Sequence, residues 1–220
     1  MKPKIDLPDR ETRFLTGQVE IRAAAETEKP RVRGYAAKFN VESEILGTHE
    51  RQFREVIAPG AFDNVLGDDV RALFNHDPNF ILARAVDGKG TLTIGVDETG
   101  LFYEFEPPDT QAGRDLVVSI NRGDITQSSF SFTVEKDNWE GAREGDGTLI
   151  ARRTIEKFGR LYDVSPVTYP AYPDATVALR SLQEFRGEQE PPADDPPASE
   201  PSQEQLSEAG DWAARIGLPE

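Results

Sequence analysis

The sequence predicts a mainly-β domain of the α+β class, a barrel or sandwich with one or two peripheral helices. Three observations carry this reading. Short runs of alternating apolar and polar residues recur along the chain, glycine- and aspartate-rich turn signals separate them, and only two stretches show helical spacing. In chain order, Gln18–Ala23 and Arg31–Phe39 are strand-like, and Arg71–Asn75 is a short strand that Asp77–Pro78 should break. The run GTLTIGVDETGLFYEFEP reads as a hairpin turning around Asp97–Gly100. Ser129–Glu135 alternates with period two, as do parts of Leu149–Phe158 and Leu161–Thr168. Ile57–Leu66 is one expected helix. Thr110–Arg122 is the other, with Thr110 as cap, Leu116, Val117 and Ile120 as apolar set and Gly123 as stop.

Composition narrows the function. The 220 residues suffice for one good-sized domain plus an appendage. Lysine and arginine number 25 against 40 acids, a net charge of −15, which repels phosphate backbones and anionic lipid. No nucleic-acid or membrane partner is therefore expected. With no cysteine, thiol catalysis, disulfides and cysteine metal sites are excluded, and with two histidines so is any three-imidazole site. The opening MKPKIDLPDRETRF lacks a signal peptide's apolar stretch, and no apolar run approaches a membrane span, so a soluble, intracellular protein is the expectation.

The expected organisation is an N-terminal arm over 1–17, a folded domain over 18–182, a linker over 183–202 and a short helical segment over 203–220. Gln183–Glu220 holds ten acids and two bases, and so carries eight of the fifteen net negative charges. Its stretch GEQEPPADDPPASEPSQEQ has no aliphatic residue larger than alanine and reads as disordered. Beyond it, Leu206, Ala209, Ala213 and Ile216 form one weak helical stripe, either a solvated helix or a docking or removable segment.

Three residues stand out chemically. In SFSFTVE a strand puts Phe130, Phe132 and Val134 on one face and Ser129, Ser131 and Thr133 on the other. If the phenylalanines fill a core, Ser129 is a rigidly held hydroxyl open to solvent, although hydroxyls on an exposed strand face are also ordinary. His76 ends a strand, where it can serve as a base or simply close a turn. His49, in the polar run GTHERQ, reads as surface. Asp163 is an acid inside an apolar strand and needs a partner, either an arginine or an imidazole N–H. The order His76, Ser129, Asp163 is that of neither chymotrypsin, subtilisin nor the α/β-hydrolases, and no G-x-S-x-G elbow is present.

Five blocks together resemble the prohead maturation serine proteases of tailed phages, which are related to the herpesvirus assemblins. RGYAAKFNVESEIL is similar to the family's early G-Y-A-x-x-F-N strand and loop, and REVIAPGAFDNVL to its E-x-I-x-P-G-A-F segment. RALFNHDPNFILAR is the histidine block. NRGDITQSSFSFTV resembles the serine block G-D-(I/L)-x-x-x-S-F-G-F, and LYDVSPVTYPAYPDA the acid block. The resemblance spans about Val19 to Leu182 and implies a herpesvirus-protease-like β-barrel.

It also implies roles. His76 matches the general base and Ser129 the nucleophile, because it directly precedes the first phenylalanine. Ser128 falls at a variable position, and Ser131 stands where glycine is common. Asp163 fits the third position, which is acidic in the phage enzymes. Two backbone N–H groups should stabilise the oxyanion, each worth roughly 3–4 kcal/mol in serine proteases. The herpesvirus relatives supply them from a loop that here falls around Tyr169–Tyr172. The implied activity is a cofactor-free serine endopeptidase acting inside the immature capsid, in the cytoplasm of a bacterial host or encoded by a prophage. Its implied substrates are scaffold, major capsid protein and its own linker. A homo-oligomer is carried over as a candidate, since dimerisation switches on the herpesvirus relatives. The competing readings are an inactive β-barrel assembly module and a metal-dependent hydrolase built on His76 and Asp77, which lacks a ligand set.

Overall fold

Period-two alternation settles most of the chain into strands. The computed structural model describes residues 10–15, 19–22, 29–48, 51–143, 149–169, 178 and 182. Strands β1 (Glu11–Leu15), β2 (Val19–Arg22), β3 (Arg31–Lys38), β4 (Leu46–Thr48) and β5 (Arg51–Ile57) are followed by a turn segment. Then come β6 (Val70–Phe74), β7 (Asp77–Val86), β8 (Lys89–Gly90), β9 (Leu92–Val96) and β10 (Gly100–Phe105). The helix α1 (Gln111–Arg122) precedes two long strands, β11 (Gln127–Arg143) and β12 (Leu149–Val167). Leu149–Phe158 and Leu161–Thr168 thus merge into one strand running through Gly159.

The expected mainly-β class holds, with two corrections. Among the described residues the strands form an eight-stranded sheet, with the path β1-β11-β12-β6-β7-β8 and β5 and β4 branching from β12, and a four-stranded sheet β2-β3-β10-β9. Neither path closes into a barrel. Ile57–Leu66 is not a helix. It is a chain of turns held by bonds such as Asp63 N to Gly60 O and Val65 N to Phe62 O, because Pro59 and left-handed Gly60 (φ 85°) break helical continuation. The second helix forms as expected. The Thr110 hydroxyl accepts from Gly113 N, and Gly123 at φ 81° ends it.

The main core lies between the sheets, where Phe62, Phe130, Phe132 and Phe158 are almost wholly buried. The Phe130 and Phe132 rings stack at 4.7 Å, and Phe158 meets Phe132 edge-on at 4.8 Å. This cluster fixes one face of β11, so its other face is fixed as well. A smaller cluster joins Leu46, Phe53 and Ala151 to Ala178 and Leu182. The chain divides into units Met1–Arg186 and Gly187–Glu220, and the second lies wholly outside the described residues, as do the linker and helical segment expected over 183–220. His49 lies outside them too.

Candidate active site

Three adjacent strands deliver the candidate residues. β11 and β12 pair antiparallel with Ser129 opposite Ser165 and Ser131 opposite Asp163, while β12 runs parallel to β6 with Asp163 beside Arg71. β6 ends at Phe74, which pairs with Asp77 across the two-residue turn Asn75–His76. Both turn residues have positive φ, 54° and 58°, the geometry of a primed hairpin turn whose twist matches its strands. Asp77–Pro78 therefore opens β7 and does not break the strand before it, because the reversal is already complete at His76. The turn is pinned to β12. Asn75 N donates to Pro166 O at 3.1 Å, and Thr168 N to Asn75 Oδ1 at 2.9 Å.

That anchoring places the His76 ring between two partners. Its Nδ1 lies 2.5 Å from Asp163 Oδ1 and its Nε2 2.6 Å from Ser129 Oγ. The carboxylate can only accept, so it takes the Nδ1 hydrogen and turns the Nε2 lone pair of a neutral ring towards the serine. Ser165 Oγ supports the pair, 3.2 Å from Asp163 Oδ1 and 3.3 Å from His76 N. The two neighbouring serines differ. Ser128 faces the other side of β11 and donates to the Tyr103 phenol at 3.0 Å, whereas Ser131 Oγ lies 3.3 Å from Nδ1. Burial pushes the Tyr103 phenol well up, against the opposing hydrogen bond from Ser128. Asp163 gains both partners foreseen as alternatives, since Arg10 ion-pairs with its second oxygen. Asp77 is turned elsewhere, its Oδ1 accepting from Asn79 N at 2.8 Å, and both His76 nitrogens are engaged.

One expectation fails at the nucleophile position. Ser129 is 0% exposed, not open to solvent. The reason is β1, which adds to the free edge of β11 with Phe14 opposite Ser129. Ser129 Oγ lies 2.7 Å from the carbonyl oxygen of Arg13. Of the loop expected to supply oxyanion donors, Tyr169 is 82% exposed, and Pro170–Tyr172 fall outside the described residues.

Four charged residues that sequence reasoning did not single out sit behind this strand. Arg13 forms a forked pair with Glu55, Nε to Oε1 at 2.8 Å and Nη2 to Oε2 at 2.9 Å. Arg153 binds Glu11 Oε2 at 2.9 Å and Glu55 Oε2 at 3.1 Å. All four are buried. Burial pushes the Glu55 carboxyl up, but the charges of Arg13 and Arg153 outweigh it and hold the group below its ordinary value.

Comparison with known proteins bears on the chain as a whole. No curated protein matches significantly. Among solved structures, the bacteriophage T4 capsid assembly protease gp21 is similar at 11% identity and a TM-score of 0.42, over 72% of this chain and 96% of that one. The sequence profile of the caudovirus prohead serine proteases matches residues 17–188, most of the chain and all three strands that meet at His76. The chain belongs to the caudovirus prohead serine protease family.

Proposed function

We propose that the protein is an endopeptidase in which Ser129 is the nucleophile, His76 the general base and Asp163 its orienting acid. The observation that carries this reading is the single imidazole held between an acid and a hydroxyl, 2.5 Å and 2.6 Å away. Ser129 Oγ attacks a peptide carbonyl carbon while His76 takes its proton. The C–N bond breaks and His76 passes that proton to the leaving amine. Water then repeats the sequence. Its oxygen bonds to the acyl carbon as His76 takes its proton, the bond from that carbon to Ser129 Oγ breaks with the proton passed to Oγ, and the carboxyl product leaves. Asp163 stabilises the imidazolium formed at each stage.

Family membership supports the proposed setting, scaffold and capsid proteins as substrates within the immature phage particle. The edge of β11 beside Ser129 suits extended segments, since it already pairs with the added strand β1. The test is time-resolved intact mass and fluorophosphonate labelling of the full chain. Wild type should label at Ser129, and Ser129→Ala should neither label nor cut, a fall of roughly 10⁴-fold or more. Undiminished cutting by Ser129→Ala overturns the assignment.

A further inference from the structure

The strand over the nucleophile precedes the residues that the family profile matches. The profile match begins at residue 17, whereas β1 spans Glu11–Leu15. Yet the side chains from Arg10 to Arg13 engage both faces of β11, Arg10 and Thr12 the face that carries Ser129, Glu11 and Arg13 the face that carries Phe130. Arg10 pairs with Asp163, Glu11 with Arg153, Thr12 with Ser131 at 3.3 Å and Arg13 with Glu55. The strand also presents a backbone carbonyl, that of Arg13, to the Ser129 hydroxyl. An added antiparallel strand with one carbonyl at the nucleophile and alternate side chains in subsites is how a protease channel holds a peptide.

We propose that Glu55 selects arginine as the residue whose carbonyl is attacked, that Arg153 selects an acid two positions earlier, and that β1 is an internal occupant of this substrate channel. This inference rests on the catalytic reading above. The forked contact of Glu55 with Nε and Nη2 favours guanidinium over ammonium, because only arginine offers two parallel N–H donors. With β1 withdrawn, Glu55 and Arg153 keep each other as partners, and Asp137 holds Arg153 at 2.6 Å. What is left is one acceptor fork and one donor set, aimed at the channel. A cavity of about 240 Å³ adjoins the Arg13–Glu55 pair, mostly apolar in its lining, with Glu42, Glu44 and Lys38 as its other charged residues.

The occupant blocks the reaction twice. It buries Ser129, whose one proton cannot serve both the Arg13 carbonyl and His76 Nε2, and through Arg10 it neutralises the charge with which Asp163 would stabilise an imidazolium. The pattern acid-x-arginine of Glu11–Thr12–Arg13 recurs as Glu20–Ile21–Arg22, Asp69–Val70–Arg71 and Glu184–Phe185–Arg186. The first is committed to β2 and the second to the start of β6, whereas the third ends the first unit of the chain, immediately before the acidic tail. Two self-cleavage bonds follow: Arg13–Phe14, cut by another copy of the chain once β1 is withdrawn, and Arg186–Gly187.

The experiment combines intact mass of the full chain with cleavage of a synthetic peptide spanning residues 180–192. Wild type and Arg13→Ala, in which the channel is unlatched, are assayed beside Ser129→Ala and Glu55→Gln. Expected are masses ending at Arg186 or beginning at Phe14, and peptide cut after Arg186. Replacing Arg186 in the peptide by alanine should lower kcat/KM roughly 100-fold, and by lysine roughly tenfold. Arg13→Ala should label at Ser129 faster than wild type. Because Glu55→Gln can fail to fold, the peptide series on wild type and Arg13→Ala decides by itself. Cutting that Ser129→Ala abolishes but that ignores arginine overturns the subsite and leaves the catalytic reading standing. Neither labelling nor cutting in wild type and Arg13→Ala overturns both.

Discussion

At the scale of single residues, Asp163 shows what the site demands of position. It lies in β12 between Tyr162 and Val164, 2% exposed, and divides its two oxygens between His76 and Arg10. Asp163→Asn keeps the size but can present an N–H to the imidazole, which favours the wrong tautomer. Peptide turnover should fall by about 10⁴-fold while the melting temperature changes little, and steady-state kinetics beside a thermal melt tests both. In the sequence Asp163 and His76 are conspicuous where they stand, whereas Ser129 is an ordinary strand hydroxyl that the resemblance to the serine block singles out. Glu55 and Arg153 are not conspicuous. In REVI and ARRT they look like the solvated members of alternating strands, and only a register joining residues 98 positions apart reveals them as partners.

Elements explain why Ser129 is held as it is. β11 is fixed on one face by stacked Phe130 and Phe132, and Ser128 on that side reaches Tyr103, which crosses the backbone of Gly34 in the other sheet. A Cβ on Gly34 would lie 2.5 Å from the Tyr103 ring. Gly34→Ala must displace the ring and, through Ser128, the strand carrying Ser129. A loss of roughly 1–3 kcal/mol is expected, read as a lowered urea midpoint, with slower Ser129 labelling. Strands and the capped helix were legible here because periodicity and punctuation are local. Ile57–Leu66 misled because IAPGAFDNVL has helical apolar spacing, and the backbone demands of Pro59–Gly60 override it. The burial of Ser129 was not legible, since it depends on which chain segment takes an open sheet edge.

Across the whole molecule, β12 is the shared member, pairing with β11, β5 and β6, so the three site strands rise and fall with one core. The buried charges stitch β1 to this body and give stability a pH dependence. Glu55 sits below its ordinary value of 4.5, so its contribution is complete above that pH and is lost as pH falls through its lowered folded value. Thermal melts of wild type should therefore decline on acidification below about pH 4.5, and Glu55→Gln should show a shallower decline. Equal slopes would contradict the assignment. The net charge of −15 was legible at once, but it says nothing of this inner network, whose two glutamates and two arginines sum to zero.

The cover over Ser129 is tethered to the molecule it closes. A tethered strand competes at an effective concentration on the order of millimolar, and dilution does not weaken it. Access then begins with a unimolecular fraying of the edge, independent of how much enzyme is present. Raising the dose of any Ser129-directed reagent should accelerate modification only to a plateau, and that plateau is the fraying rate itself.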